Sequence, residues 1–240
     1  GRGDTPDMSL VPQPDPAGLR ALPAVVPFLV RPGCLPARAE PAATGLPPLD
    51  ALLGGGFPRS RIAEVVGPRG SGRTSLLLAT VGGATARGAL AALVDATDGF
   101  DPASAEARGV GLDRLLWVQC GGSIRRAVQA ADVIVRGGGF DVVVVDLGDL
   151  PPGTLARVPA VAIVRLQRAV EGTPAALVVS GSRRVAGSLA AVAVALAPAR
   201  PRWERGGPGL LTELATEARL VRSRERAPGA LVRVTWHVAA

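Results

Sequence analysis

The chain contains no lysine, no asparagine and no tyrosine. It has one histidine, one methionine and two cysteines, and aromatics are 3% of its 240 residues. Without clustered histidine and cysteine there is no zinc-binding spacing. Two cysteines, Cys34 and Cys120, do not make a disulfide framework, and both read as reduced thiols of a cytoplasmic protein. His237 has no companion ligands or bases nearby and reads as a surface strand residue. Long apolar runs are also missing. The longest, Val185 to Ala199, is diluted by Gly and Ser and falls short of the roughly 18–20 residues of a membrane span. The apolar patch Ala24–Val30 is interrupted by Pro27 with no small-residue cleavage site behind it, so neither a membrane helix nor a secretory signal is expected. Gly 31 and Pro 22 are high, but no Gly-X-Y period accompanies them, which excludes collagen.

What is present is apolar and basic. Hydrophobic residues make up 48% of the chain, ample for one sizeable core and inconsistent with a mainly disordered polymer. All 27 basic residues are arginine, and the net charge is +7. Residues 181–240 hold ten arginines against four glutamates, so six of the seven excess charges sit there. Such a face suits a polyanion or an acidic partner, and a solvated arginine-rich surface accounts for it equally well.

Eleven prolines precede Leu49, blocking helix and central strand alike, so residues 1–43 read as an extended, proline-rich arm. Gly1–Asp7 precede the only methionine, Met8, and read as a cloning remnant. Residues 44–240 read as one core domain. Strands are expected at Ile62–Val66, Ala89–Asp95, Leu115–Val118, Val142–Asp146 and Ala175–Ser180. Helices are expected at Thr74–Arg87, Pro102–Arg108, Ile124–Arg136 and Leu155–Val170, the last weakened by Pro159. This alternation predicts an α/β fold: a mostly parallel sheet with helices on both faces. Further strands at Ala190–Ala197, Ala218–Arg222 and Leu231–Val238 predict an antiparallel edge at the C-terminal end.

The sharpest local signal is Gly67-Pro68-Arg69-Gly70-Ser71-Gly72-Arg73-Thr74-Ser75, between a predicted strand and a predicted helix. That is the context of a phosphate-binding loop, in which glycines let backbone N–H groups form a nest at a helix N-terminus. Thr74 would face Mg²⁺. Arg73 stands where the motif has lysine, and a planar guanidinium is no substitute for a compact ammonium. Phe140–Asp146 is a run of valines closed by an acid, the Walker B arrangement, which would set Asp146 near Thr74 as a second Mg²⁺ contact.

Beyond these two motifs the chain resembles the RecA-like recombinase family over roughly residues 44–238. Thr44–Leu46, Leu49–Leu52 and Gly54–Ile62 resemble the family's lead-in to its phosphate loop. Asp95-Ala96, Asp101-Pro102, Gly109-Val110 and Asp113 with Leu115-Leu116 match the stretch after its second core strand. The resemblance implies a RecA-like core and an ATP·Mg²⁺ site, with Asp101 as the adenine contact. The departures imply that this site is weakened or lost. Thr97 occupies the place of the water-orienting glutamate, with Asp98 adjacent, so these two are only weak catalytic candidates. Ser104 replaces the aromatic base platform, and Ser182 the phosphate-sensing glutamine. Only Gly148–Thr154 follows the Walker B strand, where the family has a DNA-binding loop. Arg222 and Arg224 match paired lysines that reach a neighbouring subunit's nucleotide. With Arg183 and Arg184 they form the candidate polyanion or subunit contact.

Within the family, the chain is similar to the short accessory branch of bacterial mutasomes, the ImuA type. That likeness implies an interaction protein of the DNA-damage response and translesion mutagenesis. It would bind RecA, an ImuB-type polymerase subunit or DNA through non-specific backbone contacts, without a RecA-style filament and with no membrane role. The alternative is a slow DNA-stimulated ATPase that remodels a repair complex, with Thr97 or Asp98 orienting water.

Overall fold

The structure is a computed structural model and describes residues 40–203 and 209–237. Most of the proline-rich arm, with Cys34, lies outside the described residues. A nine-stranded sheet organises the chain, in the order β3-β2-β4-β5-β1-β6-β8-β7, with β9 on the other edge of β8. Its parallel part comprises β1 (Arg61–Val66), β2 (Ala91–Asp95), β3 (Leu115–Gln119), β4 (Val142–Asp146), β5 (Ala176–Gly181) and β6 (Val192–Leu196). β7 (Arg200–Trp203), β8 (Leu211–Ser223) and β9 (Leu231–His237) complete it with antiparallel pairings. This is the mostly parallel sheet with an antiparallel C-terminal edge that the sequence predicts.

The valine run of β4 shows why the strands read as unbroken apolar segments. Val142 and Val144 enter one core and Val143 and Val145 the other, each at most 1% exposed. Burying one such side chain stabilises the fold by about 1.5–3 kcal/mol. The first core packs under α1 (Pro47–Leu53) and α2 (Arg73–Ala86), the second under α4 (Ile124–Gly137) and α6 (Ala160–Val170). α4 turns Ala127, Ala131, Ile134 and Val135 inward at helical spacing, and the Ser123 hydroxyl caps it by accepting from the Arg126 N–H. Among the described residues no helix is long and apolar enough to cross a membrane.

Two expectations are revised, and one helix is added to them. α1 forms inside a proline-dense stretch because Pro47 and Pro48 occupy its first positions, where the missing N–H is no loss. Pro159 does more than weaken one helix. It separates α5 (Pro152–Leu155) from α6, leaving residues 156–159 as a turn. β8 runs thirteen residues, well beyond Ala218–Arg222, because its wet face carries Glu217 and Arg219 while Thr216, Ala218 and Leu220 are buried.

Two buried acids tie elements together. Glu64, in the middle of β1 and 1% exposed, accepts the N–H groups of Val185 and Ala186, each at 2.7 Å, and Arg184 Nε at 2.9 Å. Asp132 on α4 takes Arg136 Nε at 3.0 Å and Arg165 Nη2 at 2.7 Å, which joins α4 to α6.

Candidate functional site

The phosphate loop follows the C-terminal end of β1 and opens directly into α2, as its sequence requires. Gly70 (φ 72°) and Gly72 (φ 89°) adopt left-handed backbone that a side chain would strain. α2 begins without a side-chain cap, so its first N–H groups remain available to an anion in the loop. The sheet's antiparallel edge holds the loop from behind. Ala199 N–H donates to Gly70 O at 3.1 Å. The Trp236 indole of β9 lies so close to Gly72 that a Cβ there would fall 2.5 Å from the ring.

The loop borders a cleft of about 700 Å³ at the C-terminal ends of β1, β2 and β4. Open α/β sheets bind ligands at such strand ends, and cofactor pockets are commonly of this size. Thr74, Thr97 and Asp146 all reach the cleft, and Leu77, Leu93 and Phe100 supply apolar wall. Asp95 and Asp146 sit side by side in register on β2 and β4. Burial pushes the Asp146 carboxyl above the ordinary aspartate range. The Gly148 N–H and the Arg73 charge oppose that shift, and the neighbouring Asp95 adds to it. A threonine hydroxyl and a carboxylate lining one cleft are oxygen donors of the kind suited to Mg²⁺.

Because the folded-state pKa of Asp146 lies above its unfolded value, the penalty for ionising it builds as pH rises through the interval between the two. That penalty is absent below about pH 3.9, the unfolded aspartate value. Asp146→Asn keeps an oxygen for the Gly148 N–H. It is expected to raise the thermal midpoint at neutral pH. Melting curves in acid should show the two proteins converging.

Arg73 departs furthest from a phosphate-loop cation. Its side chain is 8% exposed and is already engaged. Nη1 donates to Gly148 O at 3.0 Å, and Nη2 meets Asp149 Oδ1 at 2.5 Å. Arg69, 91% exposed at its side chain, approaches the other Asp149 oxygen at 3.6 Å. The buried Ser71 Oγ and Arg73 Nε have no hydrogen-bond partner among the described residues. The unmatched Ser71 hydroxyl beside an uncapped helix end fits a phosphate group, whereas the Arg73 guanidinium committed to Asp149 does not. Loop, helix end, Thr74 and Asp146 would hold the phosphate and its metal, and Arg73 contributes only after leaving Asp149.

The remaining candidates divide between cleft and scaffold. Pro68 is exposed at the loop, and Ser75 Oγ accepts from Arg108 at 3.1 Å. Thr97 is exposed and donates its N–H to Asp95 at 3.1 Å. Asp98 turns away at φ 57° to accept the N–H groups of Cys120 and Gly121. Asp101 caps α3 (Pro102–Glu106), and the Ser104 hydroxyl holds its carboxyl below the usual range, helped by backbone N–H groups. Ser182 Oγ is buried without a partner among the described residues. Arg184 is spent on Glu64, and Arg222 on the carbonyls of Ala190 and Ser188 at 2.8 and 2.9 Å. Arg183 and Arg224 are exposed.

Sequence reasoning missed Asp149, Phe100, Leu214 and Trp236. Asp149, three residues past the Walker B acid and opposite an arginine, carried a signal in its charge. Phe100 packs edge-on against Trp117 with ring centroids 5.1 Å apart and lines the cleft. Leu214 and Trp236 come from distant strands.

The model of the RecA N-terminal domain matches residues 37–191, from before α1 to the start of β6. Protein RecA of Blastochloris viridis is 38% identical over 146 residues, 55% of this chain and 42% of that one. Protein RecA of Methylococcus capsulatus is 49% identical over 104 residues, 43% of this chain and 30% of that one. The chain thus spans less than half the length of these curated relatives. Among solved structures, the RadB recombinase superposes with a TM-score of 0.60 at 22% identity, covering 80% of this chain and 94% of that one, which is a likeness of fold. The phosphate loop, the paired strand-end acids and strands β1 to β5 fall within the matched region, and on that match the chain belongs to the RecA N-terminal domain family.

Proposed function

We propose that this protein is an accessory member of the RecA family in bacterial DNA-damage response and translesion mutagenesis, of the ImuA type. It acts by binding RecA, a Y-family-like polymerase subunit or DNA. Its ATP·Mg²⁺ site is degenerate. The observation that carries this reading is the Arg73–Asp149 pair, which engages the loop's cation before any nucleotide arrives. Phosphoryl transfer depends on positioning and charge stabilisation, and Arg73 so held, with Thr97 in the glutamate's place, supplies little of either.

The test is direct. Purified protein, RecA and a Y-family-like polymerase subunit are mixed in pull-downs, and phosphate release is followed with and without single-stranded DNA. Retention of either partner with no DNA-stimulated release supports the reading. Release that Asp146→Asn abolishes favours instead the slow ATPase, to which the cleft, Thr74 and Asp146 are suited.

Arg183 and Arg224 remain exposed for a DNA backbone. Each phosphate contact on single-stranded DNA contributes about 0.7 to the slope of log affinity against log salt. Arg183→Ala with Arg224→Ala is expected to flatten that slope by roughly 1.4 in anisotropy titrations, irrespective of DNA sequence.

A further inference from the structure

The phosphate cleft reaches deeper than its phosphate end requires. Past the loop its lining continues along α2 through Leu77, Leu78 and Val81, the last lying about 10 Å down the helix from Thr74. Leu93 of β2, Phe100, and Leu115 at the start of β3 complete this inner part. Leu115 pairs in register with Ala91, about 13 Å back along the sheet from the strand-end row of Asp95. The cavity of about 700 Å³ therefore runs inward from the strand ends, between α2 and the β2–β3 pair.

Its chemistry divides along its length. Every polar side chain of the lining belongs to the loop and the first positions of α2, or to the ends of β2 and β4 and the turns that follow them. The inner part is aliphatic and aromatic. Leu77, Val81 and Leu93 are each at most 5% exposed, and Phe100 is backed by Trp117. A purine placed there would leave its ring nitrogens desolvated and unpaired, which opposes binding. The adenine contact that the RecA resemblance implies is no rival. Asp101 and Ser104 do not line the cleft, and the Asp101 carboxylate already accepts the N–H groups of Ala103 and Ser104 and the Ser104 hydroxyl. The geometry points to a ligand of another class: a phosphate ester whose organic part is an apolar aryl group rather than a nucleoside. Its phosphate would sit on the loop, at Ser71 and the start of α2, with the ring between Val81, Leu93 and Leu115. An apolar ring entering an apolar cavity gains affinity without a polar contact. The inference rests on the loop's fit to a phosphate and is independent of which protein partner binds.

The probes are 2-naphthyl phosphate, AMP and inorganic pyrophosphate, each titrated calorimetrically against the full chain. Naphthyl phosphate is expected to bind at least about tenfold more tightly than AMP, and pyrophosphate should displace it by competing for the loop. Leu115→Gln, at a half-buried position, should weaken naphthyl phosphate by a similar factor while pyrophosphate affinity and melting temperature stay unchanged. Leu93→Phe, which fills the inner cavity, should do the same, and its pyrophosphate affinity reports whether the loop is still formed. AMP bound as tightly as naphthyl phosphate, naphthyl binding indifferent to both variants, or naphthyl phosphate retained under saturating pyrophosphate would overturn the inference. Pyrophosphate binding with no gain from the aryl group would overturn it while leaving the phosphate loop standing, whereas absence of binding by all three probes would overturn both.

Discussion

Arg184→Met is expected to lower the unfolding free energy by about 3–5 kcal/mol, the cost of stranding a buried charge whose partner is removed. Glu64 sits on the central strand β1 at 1% exposure, so its carboxylate cannot recover hydration. Two backbone N–H groups would remain to it, those of Val185 and Ala186. They offset part of the charge and cannot neutralise it. For a domain of this size the loss corresponds to about 6–20 °C in melting temperature. Adding Glu64→Gln to Arg184→Met removes the stranded charge while keeping an acceptor, and should restore most of the stability. Urea titrations of the two variants decide it. A double variant no more stable than the single one would show that the arginine contributes through packing rather than charge.

Asp149→Ala is expected to tighten ATP·Mg²⁺ binding by roughly tenfold, the scale of one charge-assisted hydrogen bond withdrawn from competition. With Asp149 intact, a phosphate must displace a carboxylate held at 2.5 Å before it can engage Arg73. Removing that carboxylate frees the guanidinium and also takes a negative charge from the mouth of the cleft. Isothermal titration measures the affinity. Arg73→Ala in the Asp149→Ala background should abolish the gain, which separates release of Arg73 from a general change of potential. Unchanged affinity in Asp149→Ala would show that the pair does not oppose nucleotide.

The parallel half of the fold was legible because its signals are local. Val142–Val145 must be buried on both sides, and the glycines of Gly67–Gly72 permit only a turn between strand and helix. The antiparallel half was harder to read for a physical reason. Strands with one wet face carry charges, as β8 does at Glu217 and Arg219, and β7, exposed throughout, even admits Pro201. Proline acts in two directions, since Pro47 and Pro48 start a helix that the sequence reading did not assign, whereas Pro159, read as weakening a helix, interrupts it. At the site, the loop and Asp146 were readable from spacing. The engagement of Arg73 was not, because it depends on where Asp149 is carried by the short turn after β4. Asp98 and Arg222 carried suggestive charges, but backbone groups claim both.

Trp236 resting on Gly72 makes the mouth of the cleft and the last strand a single mechanical part. Any reshaping of the loop that swings the glycine outward must lift an indole whose ring nitrogen is buried without a partner among the described residues. The stiffness of the phosphate loop is thereby set from the far end of the polypeptide. Whatever loosens or clamps the arginine-bearing hairpin of β8 and β9 alters how readily the loop can deform.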